Sequence, residues 1–131
     1  MQVRSFDIDQ DYNDVHKWWT SQGWDAIPKH LLGISGFIAY DDSGKNAACW
    51  LYRDKGCPIS ILEWTVGNPD IAWDKRKEAL DLVMDECFKK AKEDGAQLIL
   101  TMTKNKRLIE KLKESNFIET DSGMTHLIRR L

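Results

Sequence analysis

The sequence predicts an α/β fold of the α+β kind. It reads as a mixed, mostly antiparallel central sheet of six to seven strands with helices on both faces, in one domain spanning residues 1–131. Three observations predict it. Runs with period-two alternation recur along the chain, and three stretches instead carry apolar residues at three- and four-residue intervals. Clusters of Gly, Asn, Pro and Asp punctuate the boundaries between them. The composition, 42% apolar and 31% charged, is that of a globular chain and excludes disorder.

Residues 2–8 alternate, with Val3, Phe6 and Ile8 apolar, and read as a first strand. Asp9 or Asp11 caps a helix that carries Tyr12, Val15, Trp18 and Trp19 at helical spacing and stops at Gly23. Pro28 opens a short helical turn through Leu31 and Leu32. Residues 34–40 form a second strand, Asp41-Asp42-Ser43-Gly44 a hairpin turn, residues 46–53 a third strand and residues 59–66 a fourth; Gly67-Asn68-Pro69-Asp70 then breaks the pattern. The strongest helical pattern follows. Asp74 caps it, Gly95 ends it, and Leu80, Val83, Met84, Cys87, Phe88 and Ala91 recur on one side, with Asp85–Lys89 and Glu86–Lys90 as ion pairs on the wet side. Residues 97–103 form a fifth strand. A helix from Asn105 to Ser115 buries Leu108, Ile109 and Leu112, and short strands at 117–120 and 124–130 flank a turn at Asp121-Ser122-Gly123.

The bulk numbers exclude several function classes. A net charge of −2 does not mark a nucleic-acid binder, and the lysines of the last helix, Lys104, Lys106, Lys111 and Lys113, read as a solvated face. No apolar run approaches the ~20 residues of a membrane helix, and Met1-Gln2-Val3-Arg4-Ser5-Phe6 lacks the apolar stretch of a signal peptide. A cytoplasmic protein is expected. Cys49, Cys57 and Cys87 are odd in number and form no CxxC pair, so they read as reduced structural thiols. His16, His30 and His126 lack the spacing of a metal site.

Several segments sharpen the element order into a family resemblance. Ala91-Lys92-Glu93-Asp94-Gly95-Ala96 joins the long helix to the fifth strand, and Asn105 stands twelve residues before Phe117, in the pair Asn116-Phe117. With these residues the order strand, helices, three antiparallel strands, helix, strand, helix, strand resembles the GNAT superfamily of acyl-CoA N-acyltransferases over nearly the whole chain. More narrowly, Trp18-Trp19, Gly23-Trp24, Cys49-Trp50-Leu51-Tyr52, Leu62-Glu63-Trp64, Asn68-Pro69 and Gly123-Met124 resemble small GNAT-like proteins of bacteriophages. The chain departs from the family in two places. The Gln/Arg-x-x-Gly-x-Gly/Ala loop that binds the pyrophosphate of acyl-CoA is replaced by Ile71-Ala72-Trp73-Asp74-Lys75-Arg76-Lys77-Glu78-Ala79, without glycine. The tyrosine that many members carry on the last helix as general acid is replaced by Leu112.

The resemblance implies acetyl-CoA, or another acyl-CoA, as cofactor and an amine on a small molecule or a protein as acceptor. Lys75, Arg76 and Lys77 would supply charge for the pyrophosphate at a helix N-terminus; their plain alternative is a solvated first turn. A backbone N–H at Val66 or its neighbour would polarise the thioester carbonyl. Glu63 is the candidate general base: alternation sets Leu62, Trp64 and Val66 on one side of the fourth strand and Ile61, Glu63 and Thr65 on the other, and a carboxylate among apolar residues is there for a partner or for chemistry. His126 is a second base or a partly exposed structural histidine. Asn105 is a pantetheine contact, a helix cap, or both. Trp18, Trp19 and Trp24 cannot all point inward, and Trp19 and Trp24 are the candidate acceptor surface. The alternative function is a catalytically decayed GNAT scaffold that binds a protein, such as a phage protein docking on a host protein. A homodimer is a further expectation, since an exposed final strand could pair with a second copy.

Overall fold

The computed structural model describes residues 1–131, which divide into two compact units, residues 1–101 and 102–131. The first unit runs β1 (Gln2–Ser5), α1 (Ile8–Ser21), a 3-10 turn (Lys29–Leu31), β2 (Gly36–Asp41), β3 (Gly44–Arg53), β4 (Ile59–Gly67), α2 (Trp73–Glu93) and β5 (Leu98–Leu100). The second contains α3 (Lys106–Glu114), after which no regular element follows.

The sheet has five strands in the order β1-β2-β3-β4-β5. Neighbours are antiparallel except β4 and β5, which run parallel after the α2 crossover. The six or seven strands expected from sequence are therefore five. Residues 117–120 and 124–130 join no ladder, because alternation marks which residues would share a face but only a second backbone can satisfy the strand's N–H and C=O groups.

Helix starts also differ from expectation, for local reasons. β1 ends at Ser5, so α1 starts earlier and its cap is Asp7, whose side chain accepts from the N–H groups of Asp9 and Gln10, both at 2.9 Å. α2 starts after Ala72, which provides no side-chain cap, and Asp74 lies inside the first turn. On α2 Lys89 pairs with Glu86 at 3.6 Å and Lys90 with Asp94 at 2.7 Å, so both lysines take partners other than those read from spacing.

The sheet is covered on both faces. Val15, Trp18 and Trp19 of α1 pack with Ile38, Ala48, Trp50 and Val66 in one buried cluster. The intervening strand residues, Ala39, Ala47, Cys49 and Leu51, are buried on the opposite face, which α2 crosses with Ala79, Leu80, Val83, Met84, Cys87 and Ala91 inward. There the Cys49 side chain and burial together hold the Cys87 thiol well above its usual range, so it stays protonated.

One buried charge ties α1 to the sheet. Asp11 is wholly inaccessible to solvent and takes both guanidinium nitrogens of Arg4, at 2.7 and 2.8 Å, the N–H of Asp7 at 2.8 Å and the ammonium of Lys45 at 2.9 Å. Burial alone would push its carboxyl up. The bonds from Arg4, Asp7 and Lys45 outweigh burial and hold it down at about 2, against an ordinary 3.8. A depressed folded pKa contributes stability above the unfolded value and loses it as pH falls toward the folded one. Asp11 should therefore contribute on the order of 2 kcal/mol at neutral pH, lost between about pH 4 and pH 2. Urea midpoints measured across that range should fall steeply for the wild type and less steeply for Asp11→Asn.

Candidate functional site

The feature that organises the candidate site is an interruption in β4. The register pairs Trp50 with Glu63 and Ala48 with Val66, so two residues of β4, Trp64 and Thr65, stand opposite the single Cys49. This is a β-bulge, and Trp64 occupies it with φ +59°, a left-handed conformation that a bulky residue adopts only under constraint. The constraint is visible. The Trp64 indole donates to the Tyr52 phenol oxygen at 3.0 Å, its carbonyl accepts from the Trp19 indole at 3.3 Å, and the Thr65 hydroxyl meets the Cys49 sulfur at 2.9 Å. Tyr52 Oη also accepts the N–H of Gly33 at 3.1 Å, fixing the loop after the 3-10 turn to the same point.

The bulge corrects the alternation read from sequence. Up to Glu63, odd residues of β4 share the face of Trp50 and Tyr52; beyond it, Val66 shares that face with Ala48. Glu63 and Trp64 thus lie on the α1 face in succession, and Leu62 and Thr65 on the α2 face. The extra residue, not simple alternation, sets Glu63 beside the aromatic cluster, where it is half-buried.

The ladder from β4 to β5 covers only Ile59–Ile61, paired with Leu98–Leu100, while β4 continues to Gly67. The Thr101 hydroxyl donates to the Leu62 carbonyl at 2.8 Å, at the point where pairing stops. The ladder stops because β5 ends at Leu100, and β4 runs on to Gly67 with no β5 residue paired to it. Strand backbone without a neighbour can accept an extended chain carrying amide groups.

The basic residues at the start of α2 are partly committed. Lys75 contacts Asp41 at 2.8 Å and the Ser43 hydroxyl at 2.6 Å, which with Ser43's own bonds holds Asp41 far below the usual carboxylate range. The Arg76 guanidinium donates to the carbonyls of Pro69 and Ile71, both at 2.9 Å, and its stem fills the space where a Cβ on Gly67 would lie. Gly67 therefore serves the packing of Arg76, and Arg76 braces the loop instead of reaching outward. Lys77 is half-buried. What remains of the phosphate reading is the helix end itself, where no side chain caps the first-turn amides and the dipole is positive.

The candidate acceptor aromatics separate. Trp19 is 2% exposed and offers no face to an acceptor; its indole N–H is spent on the Trp64 carbonyl. That corrects the contact read from sequence to a positioning role. Trp24 is 41% exposed, in the same connection between α1 and β2 as the exposed Leu31 and Ile34. In the second unit, Asn105 caps α3 by accepting from Arg107 and Leu108, at 3.1 and 3.2 Å, and His126 is exposed in the segment without regular structure. Leu112 is buried. Sequence reading missed Tyr52. Its alternation marked it as a strand residue, but nothing in the sequence gave the bulge that its hydroxyl holds.

No family model and no curated protein matches the chain. Solved structures do. A GNAT-family acetyltransferase from Streptococcus pneumoniae superposes with a TM-score of 0.67 at 14% identity, over 98% of this chain and 97% of that one. The chain carries the GNAT fold. A Mycobacterium tuberculosis protein crystallised with CoA matches with a TM-score of 0.75 at 10% identity, over 95% of this chain and 76% of that one. A Trypanosoma brucei acetyltransferase matches at 0.69 and 11% identity, over 97% and 99%. At these identities the GNAT likeness is one of fold alone. No helix is long and apolar enough to cross a membrane.

Proposed function

We propose that the chain is an acyl-CoA-dependent N-acyltransferase, acting with acetyl-CoA on an amine, as a cytoplasmic protein of the phage type that its aromatic segments resemble. The observation that carries this reading is the stretch of β4 beyond Ile61 that no β5 residue pairs, next to a constrained bulge. Strained backbone of this kind, over-determined by three side-chain bonds, costs about 1–3 kcal/mol and is retained where geometry matters to chemistry.

On this reading the pantetheine arm lies along residues 62–67, where the backbone groups of β4 are no longer engaged by β5. A β4 backbone N–H, at Val66 or its neighbour, faces the thioester carbonyl oxygen, and the bulge fixes its direction. Glu63 takes a proton from the incoming ammonium, directly or through one water, so that the amine can attack the carbonyl carbon and the CoA thiolate can leave. The half-buried, aromatic surroundings of Glu63 suit a base. Trp24 borders the acceptor. The uncapped end of α2 receives the pyrophosphate through backbone amides, with Lys75, Arg76 and Lys77 as the basic side chains of that first turn.

The second reading, a binding protein on the same scaffold, draws on the commitment of Lys75 and Arg76 to intramolecular contacts. It expects the cofactor path to be plugged. Trp73, a side chain suited to plug it at the start of α2, is 39% exposed, which favours the enzyme.

Calorimetric titration with acetyl-CoA and CoA tests the proposal. Binding at roughly micromolar Kd, about −8 kcal/mol, is the expected outcome. Changing Lys75, Arg76 and Lys77 together to Ala should weaken it several-fold. Absence of binding at millimolar cofactor would sink the acyltransferase reading.

A further inference from the structure

Trp64, the strained residue of the bulge, is held at two ends, and its two holders also hold the two ends of one loop. Its carbonyl accepts from the Trp19 indole at 3.3 Å, and the Trp19 carbonyl accepts the N–H of Trp24 at 3.1 Å, near the start of the connection from α1 to β2. Its indole N–H donates to Tyr52 Oη at 3.0 Å. The same oxygen accepts the N–H of Gly33 at 3.1 Å, near the end of that connection, and its hydroxyl donates to the Leu31 carbonyl at 3.5 Å.

The fit at Tyr52 is close. A Cβ at position 33 would lie 3.0 Å from the phenol ring, so the missing side chain lets the Gly33 backbone close on the hydroxyl. The first half of the loop has a tie of its own, since the Ile27 carbonyl accepts from Tyr12 Oη at 2.8 Å on α1. Between Ile27 and Ser35, whose carbonyl accepts the Leu51 N–H at 2.9 Å, the Tyr52 hydroxyl ties the loop to the sheet. Tyr52 pairs across the ladder with Ile61, two residues before Glu63. One hydroxyl thus joins the strand that carries Glu63 to the loop that exposes Trp24, Leu31 and Ile34.

We propose that Tyr52 is a positioning residue of the transfer site, setting the acceptor wall and the bulge against each other through its hydroxyl. This rests on the acyltransferase reading above. The bond to Trp64 keeps its left-handed turn, and with it the directions of Glu63 before the bulge and of the β4 N–H groups after it. The bonds to Gly33 and Leu31 keep the loop that meets the amine at a fixed distance from that strand. Base, amine and carbonyl are then held in one frame, and small misplacements of reacting groups are costly in rate. Tyr52 acts through Trp64 and Gly33, not on the reacting atoms.

Two variants separate the arms. Tyr52→Phe keeps the ring and removes all three bonds. Gly33→Ala crowds the phenol and releases the loop, leaving the bond to the Trp64 indole. Without ligand, 15N NMR should show the Trp64 indole N–H shifted in Tyr52→Phe and unmoved in Gly33→Ala. Amide exchange at residues 31–33 should be faster by roughly tenfold in both, the effect of about one net hydrogen bond. Acetyl transfer is then followed with the amine turned over fastest in a panel of aliphatic, aromatic and peptide N-terminal amines. Gly33→Ala should raise the acceptor KM and keep kcat, whereas Tyr52→Phe should also lower kcat by about 10–100-fold. The Kd for acetyl-CoA should stay within about twofold in both. A purely structural role would lower melting temperature without this split. Unchanged loop exchange and indole shift in Tyr52→Phe would overturn the proposal and leave the acyltransferase reading standing. So would an equal fall in kcat in both variants, or a Kd for acetyl-CoA that rises in step with the lost rate. A wild type that binds no acetyl-CoA would overturn that reading and the positioning role together.

Discussion

Replacing Trp50 with alanine should destabilise the protein by about 3–5 kcal/mol, a large share of the 5–15 kcal/mol that holds a domain together. Trp50 has no solvent exposure, and its ring lies 4.7 Å from Phe6 and 5.5 Å from Trp19, centroid to centroid. Gly36 is seated directly against it, where a Cβ would overlap the indole. The surroundings are two other large rings and a strand backbone, which cannot collapse into the space left behind, so the cavity term adds to the lost transfer energy. Trp50→Phe provides the contrast. The indole N–H of Trp50 is buried and finds no hydrogen-bond partner in the protein. Removing an unsatisfied donor recovers part of what the smaller ring loses, so this variant should lie within about 2 kcal/mol of the wild type. Urea unfolding followed by tryptophan fluorescence and circular dichroism separates the two. Equal losses in both variants would mean that the N–H is satisfied in solution and that packing alone sets the cost.

Glu63→Gln should lower kcat/KM for acetyl transfer by about 10²–10⁴ at neutral pH, the range of a positioned general base. The substitution keeps the shape of the side chain and removes its charge and its basicity. The Kd for acetyl-CoA should therefore stay within about twofold, because Glu63 acts on the amine and not on the cofactor. The acid limb of the wild-type pH–rate profile should disappear in the variant. A variant that loses cofactor affinity in step with rate would assign Glu63 to holding the bulge. One that keeps its rate and acid limb would leave deprotonation to bulk solvent. Either outcome is separable from failure of the fold by its melting curve.

Much of the fold was legible because burial follows period. Leu80, Val83, Met84, Cys87, Phe88 and Ala91 recur at helical spacing, and all but the half-buried Phe88 are buried. Val15, Trp18 and Trp19 behave likewise on α1, while Trp24, past the helix end at Ser21, is outside the core. Asn105 caps α3 as an asparagine before a helix should. What was not legible depends on the partner strand or on distant side chains. Leu62-Glu63-Trp64-Thr65-Val66 contains no glycine and alternates cleanly, so nothing local announces a bulge; it arises from how β4 registers with β3 and from the Tyr52 hydroxyl twelve residues away in sequence. Ala72 has no capping side chain and could not be read as a helix start. The roles of Arg76 were hidden too, since a basic triplet looks the same whether it faces a phosphate or the carbonyls of the preceding loop. Residues 117–131 show the reverse failure, where a strand-like pattern joins no ladder.

The bulge also makes β4 a strand with two phases. Residues before Trp64 and residues after it obey opposite parity, and both halves are locked, one by Leu62 on the α2 side and the other by Val66 on the α1 side. Losing Trp64 or Thr65 would turn the bulge into plain strand, with one residue opposite Cys49, Leu62 still on the α2 side and Val66 still on the α1 side. A residue lost from either flank has no such outlet: the half it leaves must turn over, unless the bulge itself gives up its extra residue. The bulge is thus the one place where β4 can shorten by a single residue and keep both of its faces.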